Sequence, residues 1–128
     1  MQPMSIVIPI ANVVIPRADL EAALDLALDR SETDRKGIAN FAQINIEEEA
    51  DYWAAASRTM LQLKDKLRAL SSAGSIGAIS LDAALPFHDD LMAGSTVIPF
   101  RLAQLAGQMG IDIEISIYRT QSRDAVQG

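Results

Sequence analysis

The sequence predicts an α+β or α/β two-layer sandwich, its elements in the order β-α-β-α-β-(β)-α-β, with the helices packed on one face of a sheet. Three observations predict it. Ile111-Asp112-Ile113-Glu114-Ile115-Ser116-Ile117-Tyr118 alternates apolar and polar without a break. In a strand that pattern puts four isoleucines on one face and Asp112, Glu114 and Ser116 on the other. Just upstream, Leu102, Leu105, Ala106 and Met109 fall at i, i+3, i+4 and i+7, the stripe of an amphipathic helix, and Gly110 stands where such a helix ends cheaply in a left-handed conformation. Further back, Trp53, Ala56, Met60, Leu63, Leu67 and Leu70 recur at alternating spacings of three and four, the seam of a long helix.

Taken in order, Ile6, Ile8 and Ile10 alternate and Val13-Val14-Ile15 resumes the apolar run. Pro9 has no N–H for a ladder bond, so this strand is expected at an edge or bulged there. Pro16 suits a helix start. Leu20, Ala23, Leu24, Ala27 and Leu28 then form the first stripe, Asp19 and Glu21 sit in its first turn, and Arg30 closes it. Ser31–Gly37 is polar and reads as a loop. Ile38–Ile46 reads as a strand through Ala42, Ile44 and Ile46, with Phe41 out of phase.

Glu47, Glu48, Glu49 and Asp51 precede the long helix, Lys64, Lys66 and Arg68 lie toward its end, and Gly74 stops it. Three heptads could join two chains, but covering a sheet in the same chain needs the same stripe, and that is the expectation here. Ser75–Leu81 reads as a strand, with Gly77 marking a bulge or a close backbone approach. Ala83–Gly94 has no clear period and reads as irregular. Thr96-Val97-Ile98 is the bracketed short strand, and Pro99 opens the last helix. One domain is expected over residues 1–120, followed by a polar, flexible tail at 121–128.

Composition excludes whole classes of function. With 128 residues the chain can bury one core, and 49% hydrophobic against 22% charged residues is the balance of a globular protein. The absence of cysteine removes disulfides, thiolate nucleophiles, zinc–thiolate sites and iron–sulfur clusters. A net charge of −6 argues against nucleic-acid binding, which relies on lysine and arginine, and permits a basic protein partner. No apolar run reaches bilayer length, so no membrane partner is expected. The N-terminal run starts without a basic region and is interrupted by prolines; it reads as strand, not as a signal peptide, and the chain is expected to be cytoplasmic.

Few side chains suggest chemistry. His88-Asp89-Asp90 sets the one histidine beside two carboxylates in a predicted loop. It could act as an acid–base pair or bind a divalent metal, but no second histidine exists to complete such a site. Ala73-Gly74-Ser75-Ile76-Gly77 has helix before and strand after, the reverse of a nucleophile elbow. No phosphate loop or dinucleotide fingerprint occurs. The consecutive acids at 47–51 point around a helix axis and cannot form one cage. Trp53 reads as core, Gly107 as close helix–sheet packing, and Arg101 and Arg119 as surface charges. The polar row Asp112, Glu114 and Ser116 is different, because an uncovered sheet face there would be flat and acidic, a shape that suits a protein partner better than a small substrate.

The segment VIPFRLAQLAGQMGIDIEISIY resembles the C-terminal signature of a group of small, uncharacterised bacterial α/β domains, where a short helix leads through glycine into an alternating strand ending in tyrosine, as Tyr118 does. Small acidic α/β proteins of this style are similar to bacterial immunity proteins, which neutralise a toxin by plugging or masking its active site. The resemblance supplies no functional residues. The expectation is therefore a non-catalytic protein-binding module without cofactor or metal. Its most concrete form is an inhibitor or immunity protein for a cognate, basic toxin domain, binding through Asp112, Glu114 and Ser116 with His88, Asp89 and Asp90. The alternatives are a small enzyme or ligand-binding domain using the His88-Asp89-Asp90 loop, and a structural homo-oligomer or homodimer joined through the long helix or an open sheet edge.

Overall fold

The structure, a computed structural model, describes residues 2–33 and 39–120. Eight elements follow one another: β1 (Ser5–Ala11), α1 (Arg17–Leu24), β2 (Arg30–Thr33), β3 (Ala39–Asn45), α2 (Tyr52–Ser72), β4 (Ser80–His88), α3 (Phe100–Met109) and β5 (Asp112–Thr120). The strands form one five-stranded mixed sheet in the order β2-β3-β1-β4-β5. Strands β3 and β4 both run antiparallel to β1 and flank it, so α2 must carry the chain across β1 from one to the other. The α3 crossover then makes β5 parallel to β4. The three helices share one face of the sheet, which is the predicted α+β sandwich.

One cluster holds the core. Ile6, Ile8 and Ile10 of the central strand, Ala42 and Ile44 of β3, and Leu81 and Ala83 of β4 meet Leu20, Leu24, Trp53, Met60, Leu67, Leu102 and Ala106 from the helices. Long helix α2 buries the expected stripe within its own chain, from Trp53 to Leu67, with Leu70 partly covered. Asp51 caps it, its carboxylate accepting the Ala54 N–H at 3.1 Å. Asp51→Ala is therefore expected to cost about 1 kcal/mol in a urea melt; an unchanged midpoint would show that the cap contributes nothing.

Several expectations are corrected. The first strand lies at the centre of the sheet, not at an edge, and its register with β4 is the same before and after Pro9, so it is not bulged there either. Its pairing with β4 runs from Ser5 to Val7 and resumes only at Ile10, where Ile79 stands opposite. Ala11 donates to Ala78 O, so by strand alternation Pro9 turns its N–H-less nitrogen to that same side. The sheet accommodates the proline with a gap in one ladder. Helix α1 ends earlier than its stripe suggests, because Asp25 adopts the left-handed conformation at φ 56. Leu28 still reaches the core from the segment beyond, where its N–H meets Glu21 Oε2 at 2.8 Å and its carbonyl accepts from Arg17 at 2.9 Å. Arg30 accordingly opens β2 and does not close a helix.

The predicted loop at Ser31–Gly37 is strand as far as Thr33, and residues 34–38 lie outside the described residues. The fourth strand is Ser80–His88, not Ser75–Leu81, so the stretch read as irregular carries an inner strand. Thr96-Val97-Ile98 forms no strand; Trp53 Nε1, at the start of α2, donates to Thr96 Oγ1 at 3.3 Å, and Ile98 packs against the core. Gly77 is a close approach as expected, and its N–H reaches Ala11 O at 2.8 Å. Gly107 is not one, since a Cβ there would meet nothing within 4 Å. The tail at 121–128 falls outside the described residues.

Candidate functional site

The three helices lie on one side, and among the described residues no element covers the other side of the sheet. Register and burial alternation fix what it presents. From β1 come Val7, Pro9 and Ala11; from β3, Phe41, Gln43 and Asn45; from β2, Arg30 and Glu32. Strand β4 adds Asp82, Ala84 and Pro86, and β5 adds Asp112, Glu114, Ser116 and Tyr118. The middle of this face is small and apolar and its two flanks are polar. Val7, Pro9, Ala11, Ala84 and Pro86 are only half-buried. The Arg30 guanidinium stacks 5.6 Å from the Phe41 ring centroid and pairs with Glu32, which closes the β2 flank with balanced charge.

The β5 flank is not balanced. Asp82 and Glu114 are direct register partners across the β4–β5 pair, and Asp112 follows one pleat away, opposite Ser80. Ser116 Oγ lies 3.0 Å from Asp82 Oδ1 and donates to it, which orients that carboxylate. Asp112 and Glu114 are exposed, and no ion pair joins them, or Asp82, to a cation among the described residues. Like charges set directly opposite in a sheet are unfavourable, by about 0.2–1 kcal/mol for a pair of this kind. The fold keeps this pair without neutralising it.

Of the residues singled out in the sequence, Asp112, Glu114 and Ser116 come together on this bare face. His88, Asp89 and Asp90 do not join them. His88 is the last residue of β4 and not a loop residue, and Asp89 and Asp90 form the turn that follows. His88 Nδ1 lies 2.8 Å from Thr120 Oγ1, and the Asp89 N–H donates to Thr120 O at 2.9 Å. Thr120 stands six residues beyond Glu114, roughly 20 Å along the strand. The two groups therefore mark opposite ends of the β4–β5 pair. Among the described residues no three His, Asp or Glu side chains converge to hold a metal ion.

Asp82 is the member of the acidic group that sequence reasoning missed. Its signal was present: Leu81, Ala83 and Leu85 alternate and leave Asp82 between them. Proline at position 86 and the small alanines hid the strand. The four isoleucines of β5 share a face as expected but not a common burial. Ile111, just ahead of the strand, is buried, Ile113 and Ile115 are partly covered, and Ile117 is 68% exposed. Strand β5 is the last of the sheet, and its far end runs beyond the cover of the helices.

Among the described residues, clefts of about 360, 510 and 560 Å³ open beside the helices and one of about 210 Å³ lies at the end of the β4–β5 pair beside Pro86 and Ile117; none of these is lined by His88, Asp112 or Glu114. Among the described residues no helix is long and apolar enough to cross a membrane. No protein family, curated protein or solved structure matches the chain.

Proposed function

We propose that this chain is a non-catalytic protein-binding module that docks a basic partner on its bare sheet face. One observation carries the reading: an uncovered sheet whose apolar centre is flanked by the unneutralised carboxylates of Asp82, Asp112 and Glu114. Flat, partly apolar surfaces of this extent suit protein partners. A partner's lysine or arginine placed between Asp82 and Glu114 would relieve their repulsion, so the local cost in the free protein becomes attraction in the complex. Masking the basic active site of a cognate toxin enzyme is the most concrete form of this function, and the net charge of −6 favours encounter with such a partner.

The test is a paired pull-down from source-cell lysate. Wild-type bait is expected to retain a stoichiometric basic protein that weakens as salt is raised. Bait carrying Asp112→Lys and Glu114→Lys is expected to lose it by tenfold or more, on the order of the 1.4 kcal/mol or greater typical of interface charges. Both substituted residues are exposed, so the fold should survive, as circular dichroism would verify. Equal retention by the two baits would remove this face from consideration.

A further inference from the structure

We infer that β5 pairs edge to edge with β5 of a second copy of this chain, antiparallel and centred on Ser116, joining two sheets into one. The inference concerns the edge of the sheet and stands apart from the reading of its face. The two edges of the sheet are built differently. Edge strand β2 has four residues, carries Arg30 and Glu32, and slips register between Glu32 and Thr33. Short length, charge and irregularity are the usual devices that keep a sheet edge from pairing. The β5 edge is neither short nor irregular, and its charges, Asp112, Glu114 and Arg119, sit toward its two ends and leave Ile115-Ser116-Ile117 uncharged between them. It runs nine residues, DIEISIYRT, in unbroken register with β4, without proline or lysine. Every second residue therefore turns its N–H and C=O outward, away from β4, and no further strand among the described residues pairs with them.

The order of side chains along β5 selects the partner. Both carboxylates, Asp112 and Glu114, lie in its first half, whereas Tyr118, Arg119 and Thr120 close the second. Antiparallel pairing over the full strand sets Asp112 against Thr120, Glu114 against Tyr118, and Ile115 against Ile117 of the second copy. No carboxylate faces a carboxylate. Parallel pairing of two copies would stack Asp112 on Asp112 and Glu114 on Glu114, which like charges disfavour. The same arrangement covers Ile117, 68% exposed on the helix side of the strand, with an isoleucine of the second copy. Pairing of like faces keeps the helices of both copies on one side and their bare faces on the other. A two-fold axis normal to the sheet at Ser116 does this, and such isologous contacts are the commonest in homo-oligomers.

The absence of cysteine makes a direct test possible. In solution the full chain is expected to show, by light scattering, a mass rising with concentration to twice 13.8 kDa. Ser116→Cys is expected to oxidise to a covalent dimer, because opposed residues of an antiparallel pair lie about 4.5–5.5 Å apart at Cα, within disulfide reach. Asp112→Cys should not, since its two copies would sit roughly 27 Å apart across the axis. Ile117→Lys is expected to give a folded monomer, the residue being exposed in the single chain. A wild-type chain that stays monomeric at high concentration would overturn the inference. So would equal cross-linking of the two cysteine variants, or a lysine variant that remains a dimer.

Discussion

Replacing Ile8 with alanine is expected to lower stability by about 2–5 kcal/mol, the largest loss of any single truncation considered for this protein. Ile8 lies on the central strand with no exposed surface, and the helix layer closes directly over it. Two factors raise the cost at this position. The strand is paired on both sides, so the backbone does not readily move in to fill the space. The core it shares is closed by α2, a 21-residue helix that buries Trp53, Met60, Leu63 and Leu67 in the same cluster. Against a total stability of about 5–15 kcal/mol, such a loss is a large share of the whole and shifts the unfolding midpoint clearly. The check is the urea midpoint with the slope held constant. Leu61→Ala is the control, expected within about 0.5 kcal/mol because that side chain is 65% exposed on the outer side of α2. Comparable losses for the two would mean that the sheet does not bury its face in the way described.

The second large effect is expected at Gly77, where alanine should cost about 1–3 kcal/mol through crowding alone. A Cβ there would stand 2.8 Å from Asn12 Cβ and 3.0 Å from the Ala11 carbonyl oxygen. The crowding has a structural cause. The Gly77 N–H donates to that same carbonyl at 2.8 Å, tying the segment before β4 to the end of β1 just where the chain turns at Asn12, φ 50. Asparagine tolerates that left-handed conformation better than most residues. The pair can be separated by a double substitution. Asn12→Gly removes the nearer of the two colliding atoms, so the Asn12→Gly, Gly77→Ala chain should recover part of the loss but not all of it. The carbonyl contact remains. Simple additivity of the two single losses would mean the sites do not touch.

The elements with strong period were legible in the sequence, and those defined by pairing were not. Helix α3, its glycine cap and β5 fall almost where the alternation and the stripe put them, because each pattern is local and unbroken. Helix α2 is legible for the same reason. Strand β2 left no such signal, since Arg-Ser-Glu-Thr has no apolar alternation and is a strand only by pairing with β3. Strand β4 was displaced toward Ser75 because Ile76 and Ile79 are the larger residues there, whereas the true strand is built on Ala83, Ala84 and Pro86. Pro9 misled in the opposite sense, since a rule about edge strands gave way to a central strand that leaves one ladder open.

The candidate face divides along the same line. Composition and alternation alone determined that Asp112, Glu114 and Ser116 share one side of a strand, and that the chain is acidic and free of cysteine. Only the tertiary structure decided that all three helices fall on the other side, that Asp82 from a distant part of the chain stands beside Glu114, and that His88 lies at the far end of the same strand pair. The reason is physical. A side chain's face follows from its own strand's period of two, which is local, whereas its neighbours follow from strand order and register. Those are set by which apolar faces bury together, a property of the whole chain.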